Sequence, residues 1–120
     1  MTRACGLLAF ITLALAVPAS AQTTPADAAT IERGRMVYQT WCATCHSAGA
    51  GMPGTAALMV KYKSQPAVPA VLTDRTDLTP ATVKLFVRKG VSVMPFFRKT
   101  EIGDADLEAM TLFLTRRRTP

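Results

Sequence analysis

Two thiols and one imidazole stand close together in the run CATCH at positions 42–46. Cys42 and Cys45 have the spacing at which two thiols add to the two vinyl groups of one haem, and His46 follows where an imidazole lies beneath the iron. The motif therefore predicts one covalently attached haem c, with His46 as the proximal iron ligand. Zinc binding and dithiol–disulfide exchange are the other chemistries open to these residue types.

The two competing chemistries lack their other requirements in this sequence. A structural zinc ion takes four ligands, whereas His46 is the single histidine and the third cysteine, Cys5, lies in an N-terminal leader. A redox pair of the thioredoxin type belongs to a strand–helix context, and no strand pattern is present. Haem attachment is the interpretation that the remaining residues favour.

The second axial ligand of the iron is predicted by elimination. The sequence has no second histidine, which leaves the thioether of a methionine, a ligand that raises the potential of haem iron. Met36 and Met110 lie in predicted helices, where core packing is expected. Met52 is too close in sequence to His46 to reach the opposite face of a haem, and Met59, in a short candidate helix, remains possible.

Met94 is the predicted axial ligand. It lies in a loop between two predicted helices, is followed by Pro95, and is far enough along the chain from His46 to reach the other face of the cofactor. With both axial positions filled, the iron would have no open site for a substrate and would carry electrons rather than catalyse a reaction. The neighbouring Phe96 and Phe97 are expected to close the crevice around the haem.

The first residues carry the pattern of an export signal. Arg3 precedes the apolar stretch Leu7 to Val17, which is too short to span a bilayer, and Ala19-Ser20-Ala21 fits the small-x-small cleavage pattern. We therefore expect residues 1–21 to be removed and residues 22–120 to form one periplasmic domain without a stable membrane anchor. An uncleaved anchor is the alternative.

The chain is basic, with a formal net charge of +6 at pH 7, to which Arg3 of the leader contributes. Nucleic acid is not an expected partner, because the chain is exported and no recognition motif accompanies the cations. An acidic protein partner would be steered by this charge. Simple solubility is the alternative, above all for the cluster Arg116-Arg117-Arg118.

Helical signals dominate the rest of the chain, so the predicted fold class is all-α. Gly34, inside the first predicted helix, costs up to about 1 kcal/mol relative to alanine, which is explained if another helix approaches closely there. The last helix has an apolar stripe that includes Leu107, Met110 and Leu114, and Val91 to Ile102 is predicted to be a loop. The predicted helices run from Pro25, with Thr24 as N-cap, to about Trp41; from Ala56 to Lys63; from Pro80, with Thr79 as N-cap, to Gly90; and onward from about Asp104.

Across nearly the whole segment after the leader, the sequence resembles the class I cytochromes c. The matching features, in order, are Gly34 and Tyr38 in the first helix, the haem motif, a Gly/Pro-rich loop, Met94-Pro95, and Leu107, Phe113 and Leu114 in the last helix. The resemblance implies three to four helices and long loops wrapped around one haem. It also implies that the first and last helices cross at Gly34 and that the Pro53 carbonyl orients the His46 imidazole. Gly103 departs from the family, which often has Ser or Thr as N-cap there.

A narrower resemblance is to the cytochrome subunits of flavocytochromes similar to p-cresol methylhydroxylase and eugenol hydroxylase. The matching segments are Gly51 to Thr55, Arg75 to Pro80, and Val91 to Ile102. This likeness implies a flavoprotein dehydrogenase partner that oxidises a 4-alkylphenol, and a soluble acceptor for the electrons. It also implies that Arg75 contacts a haem propionate and that Arg98 and Lys99 lie near the exposed haem edge.

Three other functions remain open from the sequence. A free-standing carrier that feeds a terminal oxidase or reductase is the close alternative. A haem enzyme such as a peroxidase would need an open or labile sixth position on the iron. A haem-free thiol redox protein would use Cys42 and Cys45 as its reactive pair.

Overall fold

The computed structural model describes residues 24–116, which form five α-helices, one short 3-10 turn and no β-strand. The leader, the predicted cleavage after Ala21, and Arg117 and Arg118 lie outside the described residues. The helices are α1 (Pro25–Trp41), α2 (Ala43–His46), α3 (Pro53–Lys61), α4 (Pro80–Lys89) and α5 (Asp104–Thr115), and the 3-10 turn is Leu72–Asp74. The predicted all-α class is confirmed.

The start of α1 is set by local hydrogen bonds that the sequence makes possible. The Thr24 hydroxyl accepts from the Asp27 amide at 3.2 Å, and the Asp27 carboxylate accepts from the Thr24 amide at 3.2 Å. This reciprocal pair is a capping box, and Pro25 occupies the first helical position, where no amide hydrogen is needed. The predicted bounds of this helix are confirmed.

The predicted bounds of α4 are also confirmed. The Thr79 hydroxyl accepts from the Thr82 amide at 3.2 Å, and Pro80 follows as the first helical residue. The helix stops at Gly90, whose φ of 66° lies in a region that L side chains rarely adopt.

Helix α3 corrects one prediction, because it begins at Pro53 rather than Ala56 and ends at Lys61 rather than Lys63. Pro53 suits the first position of a helix, and the Thr55 hydroxyl donates to the Ser47 carbonyl at 2.8 Å, which ties this first turn to the residue after His46. Tyr62 is the C-cap residue. The earlier start brings α3 directly against the CATCH motif.

The core is organised by the crossing of α1 and α5. A Cβ atom placed on Gly34 would lie 2.0 Å from the Ala109 carbonyl oxygen, so the two backbones meet where the glycine permits it. The close approach expected at Gly34 is therefore confirmed. The buried apolar residues around this crossing are Tyr38, Cys42, Val83, Val87, Ile102, Leu107, Met110, Phe113 and Leu114.

One expected core residue is on the surface. Met36 is 51% exposed, although its position in a helix suggested core packing. It lies two residues from Gly34, about 200° around α1 from the face that meets α5. Met110, the other helical methionine, is fully buried as expected. Within residues 24–116, no helix has both the length and the hydropathy needed to cross a bilayer.

Candidate functional site

Cys42 marks the point at which α1 gives way to the single turn of α2. It is the C-cap residue of α1 and the N-cap residue of α2. Its carbonyl accepts from the Cys45 amide at 3.0 Å and from the His46 amide at 2.9 Å. Because residues three positions apart share one side of a helical turn, the two thiols are presented together, with the imidazole next to them.

The two cysteines have different environments. Cys42 is buried, with its Sγ atom 3.6 Å from the Sδ atom of Met110, while Cys45 is partly exposed, and neither thiol is in a disulfide. Burial, with a smaller contribution from the charge of Cys45, raises the pKa of Cys42 to about 12. Reactive disulfide-exchanging thiols have lowered pKa values, so this environment does not fit the thiol redox alternative.

The His46 imidazole is held in a form that can bind a metal ion. Burial lowers its pKa, which favours the neutral ring that ligates metals. Its buried Nδ1 atom has no hydrogen-bond partner among residues 24–116, so the bond implied for the Pro53 carbonyl is not made in this structure. The haem-binding role of Pro53, which is the first residue of α3, stays a prediction.

Three residues fix the segment that carries His46. The Tyr38 hydroxyl donates to the His46 carbonyl at 3.0 Å, and the buried Thr55 ties α3 to Ser47. A Cβ atom on Gly54 would lie 2.6 Å from the imidazole Cε1 atom. Thr55 and Gly54 belong to the segment matched by the narrower resemblance, but the sequence predicts no role for either; a glycine directly after the N1 proline of a helix next to the motif is a signal for close approach.

We expect Gly54→Ala to lower severalfold the fraction of chain that carries covalent haem. The new methyl group would press on the imidazole and on the Cys45 carbonyl oxygen, 2.8 Å away. The measurement is intact mass together with haem absorbance per chain. Ala56→Gly is the control, because it weakens α3 by about 1 kcal/mol at an exposed position without touching the ring. Complete haem attachment in Gly54→Ala would contradict the steric role.

Met94 lies in a short turn that α4 holds in place. Val91 and Met94 exchange two backbone hydrogen bonds of 3.1 and 2.9 Å, and Ser92, between them, has φ of 53°. The Met94 side chain is half-buried. Beyond the turn, the Phe97 amide donates to the Val87 carbonyl at 2.8 Å. Met94 is therefore displayed on an anchored loop, and its role as axial ligand stays a prediction.

The two phenylalanines after Met94 differ in their packing. Phe97 is half-buried and meets Trp41 edge-on, with ring centroids 5.9 Å apart. Phe96 is 60% exposed. Phe97 thus links the loop to the end of α1, directly before Cys42, whereas Phe96 faces solvent in this structure. Closure of a haem crevice by these side chains stays a prediction.

Arg75 has a carboxylate partner within the chain. Its Nε and Nη2 atoms donate to the two carboxylate oxygens of Asp77 at 2.9 and 2.5 Å, and its guanidinium lies 4.6 Å from the Tyr62 ring centroid. The Arg75 side chain is only 6% exposed. A contact with a haem propionate stays a prediction. Of the two cations expected near the haem edge, Arg98 pairs with Glu101 and Lys99 with Asp104.

We expect Asp77→Ala to destabilise the fold by about 1–2 kcal/mol, because it leaves the buried Arg75 guanidinium unpaired while water partly replaces the half-exposed carboxylate. The Arg75 hydrogen bonds lower the pKa of Asp77. The contribution of the pair is therefore complete above the carboxyl pKa of the unfolded chain and is lost as pH falls through the lowered folded value.

Urea denaturation of the holoprotein at neutral pH and in acid measures this difference. The gap between wild type and Asp77→Ala should shrink in acid. Glu108→Ala is the matched control, because its pair with Lys84 is exposed and should contribute no more than about 0.5 kcal/mol. Equal losses of unfolding free energy in the two variants would contradict a stabilising role of the Arg75–Asp77 pair.

The residues present fit a haem better than a bare metal ion. Within the part of the chain that the structure describes, no group of three or more His, Cys, Asp or Glu side chains could hold a metal ion. A structural zinc site is therefore absent from these residues. What remains is a pair of thiols on one helical turn and a neutral imidazole whose buried Nδ1 atom has no hydrogen-bond partner among residues 24–116. At Gly54, the absence of a side chain leaves room for this ring. These features suit thioether attachment and axial ligation.

Comparison with known proteins agrees with this reading of the site. Residues 29–114 match the family model described as cytochrome c oxidase, cbb3-type, subunit III. No curated protein and no solved structure matches the chain. The match runs from within α1 to within α5 and includes the CATCH motif and Met94. The chain belongs to this family and is a class I c-type cytochrome, an electron carrier with covalently bound haem c.

Proposed function

We propose that this chain is the electron-accepting cytochrome of a periplasmic flavoprotein dehydrogenase of the 4-alkylphenol hydroxylase type. In this role it takes electrons one at a time from the flavoprotein and passes them to a soluble acceptor. The observation that carries the carrier function is the helical turn that presents Cys42, Cys45 and His46 together. Met94, much later in the chain, lies in a loop that backbone hydrogen bonds anchor. The flavoprotein partner is supported by the sequence likeness of residues 51–55, 75–80 and 91–102.

Each site residue has a separate task in this proposal. Cys42 and Cys45 would hold the haem through thioether bonds, and His46 and Met94 would be the two axial ligands. The bound group supplies a reversible one-electron change at iron. The close packing at Gly54 and the Tyr38 hydrogen bond fix the position of the segment that carries the imidazole. This limits structural rearrangement when the charge of the iron changes. If His46 and Met94 both ligated the iron, no position would be left for a peroxide or oxygen substrate.

A second candidate is a free-standing carrier that feeds a terminal oxidase or reductase. The family description, which names a subunit of a cytochrome c oxidase, supports an oxidase as the partner but not the free-standing state. In that case the chain would exchange electrons with an oxidase rather than receive them from a flavoprotein. The haem site would work in the same way, so the two candidates differ only in the partner.

Tag-free isolation from the native host tests the proposal. The periplasmic fraction is separated from cytoplasm and membranes, and the cytochrome is followed by its visible spectrum through gentle purification. We expect co-elution with a larger subunit and with flavin absorbance, and bleaching of that flavin by a 4-alkylphenol with concurrent haem reduction. A cytochrome that runs alone, without flavin, contradicts the subunit role and favours the free-standing carrier. Recovery in the membrane fraction contradicts the periplasmic assignment.

A further inference from the structure

Helix α3 has an outward side that carries large apolar residues. Its inward side is formed by the buried Thr55 and the half-buried Leu58, with Tyr62 following. On the other sides, Met59 is 63% exposed and Val60 is 78% exposed. Since an exposed apolar residue on its own is ordinary, the neighbourhood of these two side chains decides whether they form a binding surface.

A groove opens beside Met59. It has a volume of about 400 Å³ and is lined by residues 49–53 together with Thr55, Ala56 and Met59. The lining is mostly apolar because, apart from Thr55, it is made of glycine, alanine, proline and methionine. Met59 is both exposed and part of the groove wall, so the groove opens onto the outward side of α3 and is suited to receive an apolar side chain from another molecule.

Two exposed lysines that are in no ion pair among residues 24–116 lie beside this surface. Lys61 and Lys63 are both exposed and lie one and three residues after Val60, and the sequence contains no Asp or Glu from Arg33 to Thr73. Neither lysine has an ion pair within residues 24–116, whereas the other described cations are mostly paired. The ion pairs are Arg33–Asp106, Arg35–Glu32, Arg75–Asp77, Lys84–Glu108, Arg88–Asp104, Arg98–Glu101 and Lys99–Asp104.

We propose that the α3 face, defined as this groove together with Met59, Val60, Lys61 and Lys63, is the docking surface for the redox partner protein. The partner is a folded protein that presents an apolar side chain ringed by carboxylates. The inference rests on the proposed carrier function and adds to it the place where the partner binds. An apolar centre with a charged rim is the usual anatomy of a protein interface, and the rim charges speed and orient encounter.

A protein fits this surface better than an anionic membrane. Membrane-binding segments gather about four to eight cations, whereas the α3 face has two lysines. The apolar residues also flank a groove, which a side chain fills and a lipid headgroup layer does not. The location suits electron exchange, because the first turn of α3 packs on the imidazole at Gly54. A partner docked here lies against the element that touches His46.

Flavodoxin hydroquinone, an acidic one-electron flavoprotein, is the probe for this surface. We compare its second-order rate of reduction of the ferric holoprotein at low and high salt. Lys61→Gln/Lys63→Gln should slow the low-salt reaction about tenfold, and this loss should disappear at high salt, because screening removes the effects of exposed charges. Val60→Ser should slow the reaction at both salt concentrations.

Helix α4 supplies matched controls. Lys84→Gln/Lys89→Gln removes the same charge, and Leu85→Ser removes an apolar residue that is 55% exposed; both should leave the rate within twofold of wild type. Amide shift changes on adding oxidised flavodoxin to the ferric protein should centre on residues 49–63. Visible spectra confirm that each variant retains its haem environment.

The outcomes separate the docking surface from the carrier function. Fast reduction that the α3 variants leave unchanged, or shift changes centred on residues 91–99 or on α4, overturns the α3 face and leaves the carrier function standing. Haem that accepts no electrons from the hydroquinone contradicts both. Binding to anionic phosphatidylglycerol vesicles that the α3 variants abolish, without an effect on flavodoxin, overturns the choice of a protein partner.

Discussion

Gly34→Ala is expected to destabilise the holoprotein by about 3 kcal/mol. The added Cβ atom would lie 2.0 Å from the Ala109 carbonyl oxygen and 2.4 Å from its carbonyl carbon. Both are backbone atoms inside α5, so relief requires the two helices to move apart rather than a side chain to rotate. Alanine would otherwise favour α1 by about 1 kcal/mol over glycine. The helix propensity and the packing thus predict opposite signs, and the packing is the larger effect.

Chemical denaturation of the haem-loaded protein measures the loss as a shift of the midpoint. Gly103→Ala is the control, because its Cβ would meet nothing closer than 3.9 Å, at the Asp106 carboxylate. Since Gly103 is the N-cap residue of α5, this change should cost about 1 kcal/mol or less. If Gly34→Ala is as stable as Gly103→Ala, the α1–α5 crossing is not as tight as the structure shows.

The helices could be predicted from the sequence where the signal is local. Thr24 with Pro25, and Thr79 with Pro80, are cap and first-turn residues whose hydrogen bonds close within three residues, so α1 and α4 were bounded correctly. The predicted start of α3, at Ala56, is too late. The first turn of this helix is held by the hydrogen bond between Thr55 and Ser47, which forms only after the chain has turned back from the motif.

The depth of each residue in the fold was harder to predict than its secondary structure. Met36 and Met110 both have helical positions and the same side chain, yet one is exposed and the other is fully buried. The face of α1 that meets α5 is set by Gly34, where the absence of a side chain lets the two backbones approach, and not by the average hydropathy of the helix. A single small residue was therefore a better indicator of the packing face than the large apolar ones.

The covalent part of the site could be predicted from sequence, and its supports could not. Cys42, Cys45 and His46 are consecutive on one turn, so their spacing carries the chemistry directly. Gly54 and Tyr38 act on the imidazole segment from other helices. Arg75 and Asp77 are only two residues apart, but their pairing depends on packing of the Arg75 guanidinium against the Tyr62 ring. No local sequence pattern reveals that contact.

Met94→Ala is expected to remove the near-red absorption band that accompanies methionine ligation of ferric haem. It should also lower the midpoint potential by on the order of 100 mV, a fraction of the roughly 0.8 V over which axial ligands set haem potentials. The thioether favours ferrous iron, so its loss favours the ferric form. The protein should still fold, because the turn is held by backbone bonds between Val91 and Met94 and by the Phe97 amide, all of which alanine retains.

Visible spectra and a redox titration of the purified holoprotein give both readouts. Met59→Ala is the matched control, because this methionine is 63% exposed on α3 and should leave the band and the potential unchanged. A band that survives in Met94→Ala but disappears in Met59→Ala or Met52→Ala would assign the axial position to that residue instead. A new capacity of Met94→Ala to bind cyanide or peroxide, absent in wild type, would support the view that Met94 normally closes the iron to substrates and limits the chain to electron transfer.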